Sequence, residues 1–263
     1  MWIGCGLALL HAGCASVGTA SDRERAQRQY ELAVGLQAEG NDVGAFKTLY
    51  EALELDPDNA QAHQLLGTLY LLSRDDDPVE HDRRAEQAFR RVLALEAETD
   101  KPVKKLVADA YNGLGVLKIH QGDAGAAVAF LRKAVEADPF NADAYMAWGN
   151  LGWAHQELGQ TGPAVKALQR AVKLNPGFCV GHFRLGTSLM SAKAYDEAEQ
   201  SLTRAIEAHE SCKTFQDAWQ WRGTARMSLG HRDDARFDFE RCVELAPTSE
   251  AGASCQRYLE ATY

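Results

Sequence analysis

Residues 108–141 read ADAYNGLGVLKIHQGDAGAAVAFLRKAVEADPFN, and this stretch recurs in degenerate form along the chain. The period of about 34 residues indicates a repeat architecture. Each copy has a small residue at its eighth position, an alanine at its twentieth and a leucine or phenylalanine at its twenty-fourth. Small residues at these spacings predict two antiparallel helices, A and B, in close contact. The six copies begin near Ala26, Ala60, Ala108, Tyr145, Cys179 and Gln216, and their shared alanines are Ala45, Ala85, Ala127, Ala164, Ala198 and Ala235.

The pattern resembles the tetratricopeptide repeat, because most copies also end helix B at a proline, as at Pro139. A single hairpin cannot bury its apolar face, so the copies must stack. The resemblance implies an all-α fold, a right-handed superhelix of about six repeats over residues 26–248, with A helices lining the concave side. Residues 249–263 are expected to form a capping helix over the end of the stack.

Two insertions interrupt the repeats. The first adds about six residues around 73–78, and the second lies roughly at 100–107. Insertions between repeats map to surface loops. We expect solvated loops, with contact to a partner as the alternative.

The first residues differ from the rest of the chain. Trp2 to Leu10 is an uncharged apolar run, and small residues follow it, which is typical of an export signal. The ending Leu10-His11-Ala12-Gly13-Cys14 resembles a bacterial lipobox. This resemblance implies a signal peptide at 1–13, lipidation of Cys14 and a linker at 14–25. Because Ala15 stands where aspartate would favour the inner membrane, it also implies the periplasmic face of the outer membrane. The alternative is an apolar N-terminus of a cytosolic protein.

Apart from Cys5 and Cys14, the chain has four cysteines, and all four lie in its last third. An even number of cysteines suits an oxidising compartment. Three pairings are possible. Cys179 opens helix A of the fifth copy and Cys212 follows helix B, so a hairpin brings these two together. That leaves Cys242 to face Cys255 in the capping helix. Two alternatives are four reduced thiols, and a zinc site formed by Cys179-x-x-His182 with His209-x-x-Cys212.

Composition argues for a folded binding protein without a cofactor. Hydrophobic residues make up 46% of the chain and charged residues 25%. The net charge of −9 argues against nucleic acid as the main partner. Phosphate-binding glycine loops, nucleophile elbows and paired metalloprotease histidines do not occur in the sequence. We therefore expect neither catalysis nor a metal.

The concave surface is the candidate binding site. In tetratricopeptide repeats the second, fifth, ninth and twelfth positions of helix A face the groove, and in copies three to six many of these are apolar. Such side chains favour an apolar strand or helix of a protein partner, unless they cover one another or the capping helix fills the groove. Copies one and two have polar residues there, such as Gln61 and Gln64. The predicted groove residues are Val116, Ile119, Met146, Trp153, Val180, Phe183, Met190 and Met227.

An exported lipoprotein with about six such repeats is similar to the type IV pilus pilotins in size, anchor and repeat number. The resemblance implies a non-enzymatic factor that binds the pilus secretin and promotes its insertion or oligomerisation in the outer membrane. The alternative is a general periplasmic scaffold that tethers cell-envelope enzymes.

Overall fold

The structure is a computed structural model, and it describes residues 19–73, 77–139, 141 and 143–262. The described residues form thirteen α-helices and one short 3₁₀ helix, with no strand among them. None of the helices in these ranges is both long enough and apolar enough to cross a membrane. The predicted signal peptide and Cys14 lie outside the described residues.

Twelve of the helices pair as A and B helices of six repeats. The A helices are α1 (Ala20–Ala38), α3 (Ala60–Leu72), α5 (Lys104–His120), α7 (Ala144–Glu157), α9 (Cys179–Ser191) and α11 (Gln216–Leu229). The B helices are α2 (Asp42–Leu55), α4 (Pro78–Ala97), α6 (Ala124–Ala137), α8 (Thr161–Leu174), α10 (Tyr195–Glu207) and α12 (Arg232–Leu245). The 3₁₀ helix (Glu210–Thr214) joins the last two repeats, and α13 (Glu250–Thr262) follows them. The predicted all-α repeat fold is confirmed.

Three helices begin earlier than the repeat boundaries predict. Helix α1 begins at Ala20 instead of after residue 25, because Thr19 forms a capping box with Asp22. Helix α4 begins at Pro78 behind the N-cap Asp77, and α5 begins at Lys104. The expectation of two plain loops was therefore wrong in part, since one end of each insertion extends a helix.

The helices of each repeat touch where the eighth and twenty-fourth positions meet. A methyl group added at Gly115, Gly152 or Gly186 would overlap the side chain of Leu131, Leu168 or Leu202. These leucines have no exposed surface. Gly67 and Gly223 lie in the same way against Phe89 and Phe239. The absence of a side chain on helix A therefore makes room for a large one on helix B.

A left-handed residue turns the chain from helix A to helix B in five repeats. Gly40, Gly122, Gly159 and Gly230 have φ between 67° and 83°. Lys193 takes the equivalent place in the fifth repeat with φ 60°. Glycine reaches this conformation without the steric cost that a β-carbon adds. The second repeat departs from the pattern because its insertion lies at the turn.

Helix α13 covers the end of the stack in the place that a seventh A helix would take. Its Tyr258 ring stacks on Phe239 of α12 with centroids 4.7 Å apart. A disulfide joins Cys242 to Cys255, with 6.3 Å between the Cα atoms. Gly252 lies so close to the carbonyl of Ala246 that a β-carbon would clash with it. The predicted capping helix is thus present and covalently attached.

A second disulfide joins Cys179 to Cys212, with Cα atoms 5.9 Å apart. It ties the start of α9 to the 3₁₀ helix, and both bonds follow the predicted pairing.

A buried ion network fills the interior of the sixth repeat. Arg222 donates two hydrogen bonds to Asp238, at 3.0 and 2.7 Å, and Asp238 is fully buried. Arg226 bridges Asp238 and Glu199 of α10. A buried carboxylate is tolerated in a protein interior when its hydrogen bonds are satisfied in this way.

We predict that Gly152→Ala lowers the free energy of unfolding by ~1–3 kcal/mol, because the new methyl group overlaps Leu168. Gly162 is the matched control, since a β-carbon there meets open space on α8. Gly162→Ala should leave stability unchanged or raise it slightly. Urea unfolding followed by circular dichroism measures both. Equal midpoints for the two variants would show that the helix contact is not tight.

Replacing both Cys242 and Cys255 with alanine should release α13 from the stack. For a closed loop of this length, a disulfide stabilises the folded state by ~3 kcal/mol. Loss of the bond should therefore speed amide exchange in α13 about 100-fold. Hydrogen exchange with mass spectrometry reports this directly.

The paired control is the double alanine variant of Cys179 and Cys212, which should affect α9 and the 3₁₀ helix but not α13. Unchanged exchange in α13 after loss of Cys242–Cys255 would mean that side-chain packing alone holds the cap.

Candidate functional site: the concave groove

The concave side of the stack is lined by A helices. Each A helix contacts the A helix of the next repeat along the whole series, while adjacent B helices are held apart by the A helix between them. A stack that is closer on one side curves toward that side. The side chains that A helices direct away from their B partners therefore face a common groove.

The predicted groove residues fall into three groups. Met146 and Val180 are exposed, at 42% and 44% of their surface. Ile119 is buried. The remaining five, Val116, Trp153, Phe183, Met190 and Met227, are half-buried.

The prediction for Ile119 was wrong. Ile119 lies in a core cluster with Leu151, and Trp153 of the next A helix packs against that cluster. In the third repeat the twelfth position of helix A is thus part of the core, whereas Met190 and Met227 at the same position of later repeats are half-buried.

Three half-buried residues also belong partly to the core. Phe183 packs against Phe215 with ring centroids 4.7 Å apart. Met190 and Met227 contact the buried clusters of the last two repeats. In this stretch the apolar side chains cover one another to a large extent, as the alternative interpretation stated.

The open part of the groove lies on α7 and α9. Met146, Asn150 and Trp153 follow each other at helical spacing on α7, and Val180, Arg184 and Thr187 do so on α9. The two rows meet where the Arg184 guanidinium lies 4.1 Å from the centroid of the Trp153 ring. The centre of the groove is therefore an aromatic and cationic stack with exposed apolar side chains beside it.

Polar side chains link neighbouring A helices within the groove. The Asn150 amide donates to Asn112 of α5 at 3.0 Å. Gln156 donates to Thr187 and Ser188 of α9. The sequence prediction missed these residues and Arg184, because it considered only apolar residues at four positions. Asn150 and Arg184 lie at the sixth position of helix A, whereas Asn112, Gln156 and Thr187 lie at positions already assigned to the groove. Polar residues at those positions were the signal that could have found them.

Charges at one edge of the groove are paired. Lys105 contacts Asp143 at 2.6 Å and Asp109 at 3.5 Å. Burial raises the pKa of Asp109, although Lys105 acts in the opposite direction. The Lys105 ammonium is therefore already held by two carboxylates.

The outer side of the stack carries clefts between successive B helices. A cleft of about 760 Å³ is lined by Tyr50, Tyr70 and four arginines, including Arg83 and Arg84. Glu80 accepts hydrogen bonds from Arg83 and Arg84. The other two arginines pair with Glu86 and Asp58. Because its cations are already paired, this cleft is a weaker candidate than the groove.

The cysteines and histidines that suggested a zinc site do not gather around a common point. Cys179 and Cys212 bond to each other, and His182 Nε2 lies 3.0 Å from the carbonyl oxygen of Pro176. In the ranges that the structure covers, no group of three His, Cys, Asp or Glu residues could hold a metal ion.

Comparison with known families identifies the repeats. Three family models, all described as tetratricopeptide repeat, match residues 106–176, 149–211 and 216–249. Together with the helix pairs described above, these matches define the class: the chain is a tetratricopeptide repeat protein.

Two solved structures are similar over nearly their whole length. PilF of Pseudomonas aeruginosa has a TM-score of 0.73 at 19% identity, covering 90% of this chain and 99% of that one. PilW, a widely conserved type IV pilus biogenesis factor, has a TM-score of 0.72 at 20% identity, covering 89% and 99%. At these identities the likeness establishes the fold.

Curated relatives share only part of their length with this chain. A peroxisomal targeting signal receptor of Kluyveromyces lactis is 23% identical in an alignment of 203 positions that covers 68% of this chain and 35% of the receptor. The chain spans between 12% and 35% of the lengths of the curated relatives it matches.

The different roles of groove residues lead to a stability test. Phe183→Glu should lower the free energy of unfolding by ~2–4 kcal/mol, because a charge would replace a ring packed on Phe215. Val180→Glu should change it by less than ~0.5 kcal/mol, because Val180 is exposed. Chemical denaturation measures both. A large loss for Val180→Glu would mean that this part of the groove is packed and not open.

Proposed function

We propose that this protein is an outer-membrane lipoprotein pilotin, which binds the pore-forming secretin subunit of a type IV pilus and promotes its insertion or oligomerisation. In this role the protein binds another protein and does not catalyse a reaction. Its concave groove would shield an apolar segment of the secretin monomer until neighbouring subunits bury that segment.

The observation that carries the proposal is the similarity in extent to PilF and PilW. The structural match covers about nine-tenths of this chain and 99% of each of those chains. PilW is a type IV pilus biogenesis factor. A tetratricopeptide fold by itself serves many partners, so a match over nearly the full length of both chains is more informative than the fold.

The groove supports the same role. Met146 and Val180 expose apolar surface beside Trp153 on the concave side. Exposed apolar side chains grouped at one place mark a site for a protein partner. The flexible methionine side chain adapts to segments of different shape, which suits a protein that holds an incompletely assembled subunit.

The membrane part of the proposal rests on the sequence alone. The apolar run before Cys14 and the small residues around it favour export and lipidation. Two disulfides in the body of the protein suit an oxidising compartment such as the periplasm.

The test is a gel assay of detergent-resistant secretin multimers in cells that lack the protein or make a variant. We expect multimers to be lost and monomers to persist in its absence. Met146→Glu combined with Val180→Glu should reduce multimers at least ~10-fold, because two charges would enter the apolar contact.

Val43→Glu combined with Val79→Glu is the matched control, since both valines are exposed on B helices. This pair should leave multimers at the wild-type level. A Cys14→Gly variant tests the lipid anchor. In cells that make this variant, the secretin monomers should fail to insert into the outer membrane. Normal multimers in cells without the protein would contradict the proposal and favour a general scaffold for envelope enzymes.

A further inference from the structure

We propose that Arg184 is a specificity residue of the groove, which binds an aspartate or glutamate side chain within the apolar segment of the partner. This inference rests on the proposed function only in placing a protein segment in the concave groove. It adds that the segment carries an acidic residue at a defined place.

Arg184 differs from the other sheltered arginines of the described residues. Four arginines in these ranges are not exposed: Arg91, Arg184, Arg222 and Arg226. Arg91 pairs with Asp58, and Arg222 and Arg226 pair with Asp238. Arg184 has one hydrogen bond to a neutral group, from Nη1 to Gln156 Oε1 at 3.4 Å. Its guanidinium charge is therefore partly buried without an ion pair.

The surroundings of Arg184 make the missing partner costly. Burial lowers the pKa of Arg184 to about 10, and the charge of Glu157 acts in the opposite direction. Glu157 itself accepts a hydrogen bond from Trp153 Nε1 at 2.8 Å. A guanidinium has five N–H donors, and most of those on Arg184 are left for another group. A carboxylate is the group that matches this planar fork in shape and charge.

The stack on Trp153 holds the guanidinium in place before a ligand arrives. The guanidinium carbon lies 4.1 Å above the centre of the indole ring. A cation held against an aromatic ring loses less freedom when it binds an anion. The stack thus gives Arg184 a fixed position instead of the mobility of a surface arginine.

The place of Arg184 along the groove favours a side-chain carboxylate over the end of a chain. On α9, Arg184 lies between the exposed Val180 and the half-buried Met190, and the exposed Met146 lies on the neighbouring α7. A segment that contacts these residues passes over Arg184 and does not end there. Val180 lies one turn from Arg184 and is exposed, so apolar partner residues should flank the acidic one.

Peptide display on the purified, disulfide-bonded protein tests the inference without a known partner. Random peptides displayed with their C-terminal ends fused to the carrier have no free terminal carboxylate. Selection on the wild type should enrich an aspartate or glutamate flanked by apolar residues. Selection on Arg184→Met should keep the apolar enrichment and lose the acidic one. Arg170→Met is the matched control, since Arg170 lies on helix α8 at an outer cleft, and it should select as the wild type does.

Calorimetry on one selected peptide gives the size of the effect. Replacing its acidic residue with the amide should weaken binding to the wild type by ~10–100-fold and to Arg184→Met by less than ~2-fold. Arg184→Lys keeps the charge without the planar fork, so it should retain the acidic preference in weaker form. This variant keeps the test valid if the methionine variant is unstable.

Three results would overturn the inference: no selected peptides, selected peptides without acidic enrichment, or an acidic enrichment that survives in Arg184→Met. The secretin assay is a separate experiment. If the selected peptides are acidic but cells without the protein still form normal secretin multimers, the proposed function is wrong and this inference stands. If cells without the protein lose the multimers but the selected peptides show no acidic enrichment, the proposed function stands and this inference is wrong.

Discussion

The close contact of two helices at a glycine is the constraint on which the structure depends. In five repeats a glycine of helix A lies directly against a leucine or phenylalanine of helix B, and a β-carbon would overlap it. This contact fixes the distance and the rotation of the two helices within a repeat. Because each repeat then presents the same surface to the next one, the contact also sets the curvature of the whole stack.

One repeated geometry produces different surfaces along the chain. On the outer side it leaves clefts between B helices, where each arginine of the first cleft contacts a carboxylate. In the sixth repeat the space between helices A and B contains the ion pair of Arg222 and Asp238. On the inner side the last repeats close over their own methionines, while α7 and α9 leave Trp153 and Arg184 partly open. The groove is therefore a short site in the middle of the stack and does not extend over its whole length.

The sequence predicted the repeats, their number, the capping helix and the pairing of the cysteines, because each follows from a fixed period. Position in the repeat was enough to place Cys179 near Cys212. The site was harder to predict, because exposure depends on the neighbouring repeat as well as on the position. Ile119 occupies a groove position and is buried in a cluster against which Trp153 of the next repeat packs. Arg184 was missed for a related reason, since its importance lies in the lack of an ion pair, which only the assembled helices reveal.

The most direct test of the central claim is photocrosslinking in living cells. A photoreactive amino acid at Val180, in the open part of the groove, should form a covalent adduct that contains the secretin subunit. The same amino acid at Val43, which is 83% exposed on a B helix, should not. Mass spectrometry of the adducts identifies the partner. Identical adducts from both positions, or none from Val180, would contradict the claim that the concave groove binds the partner.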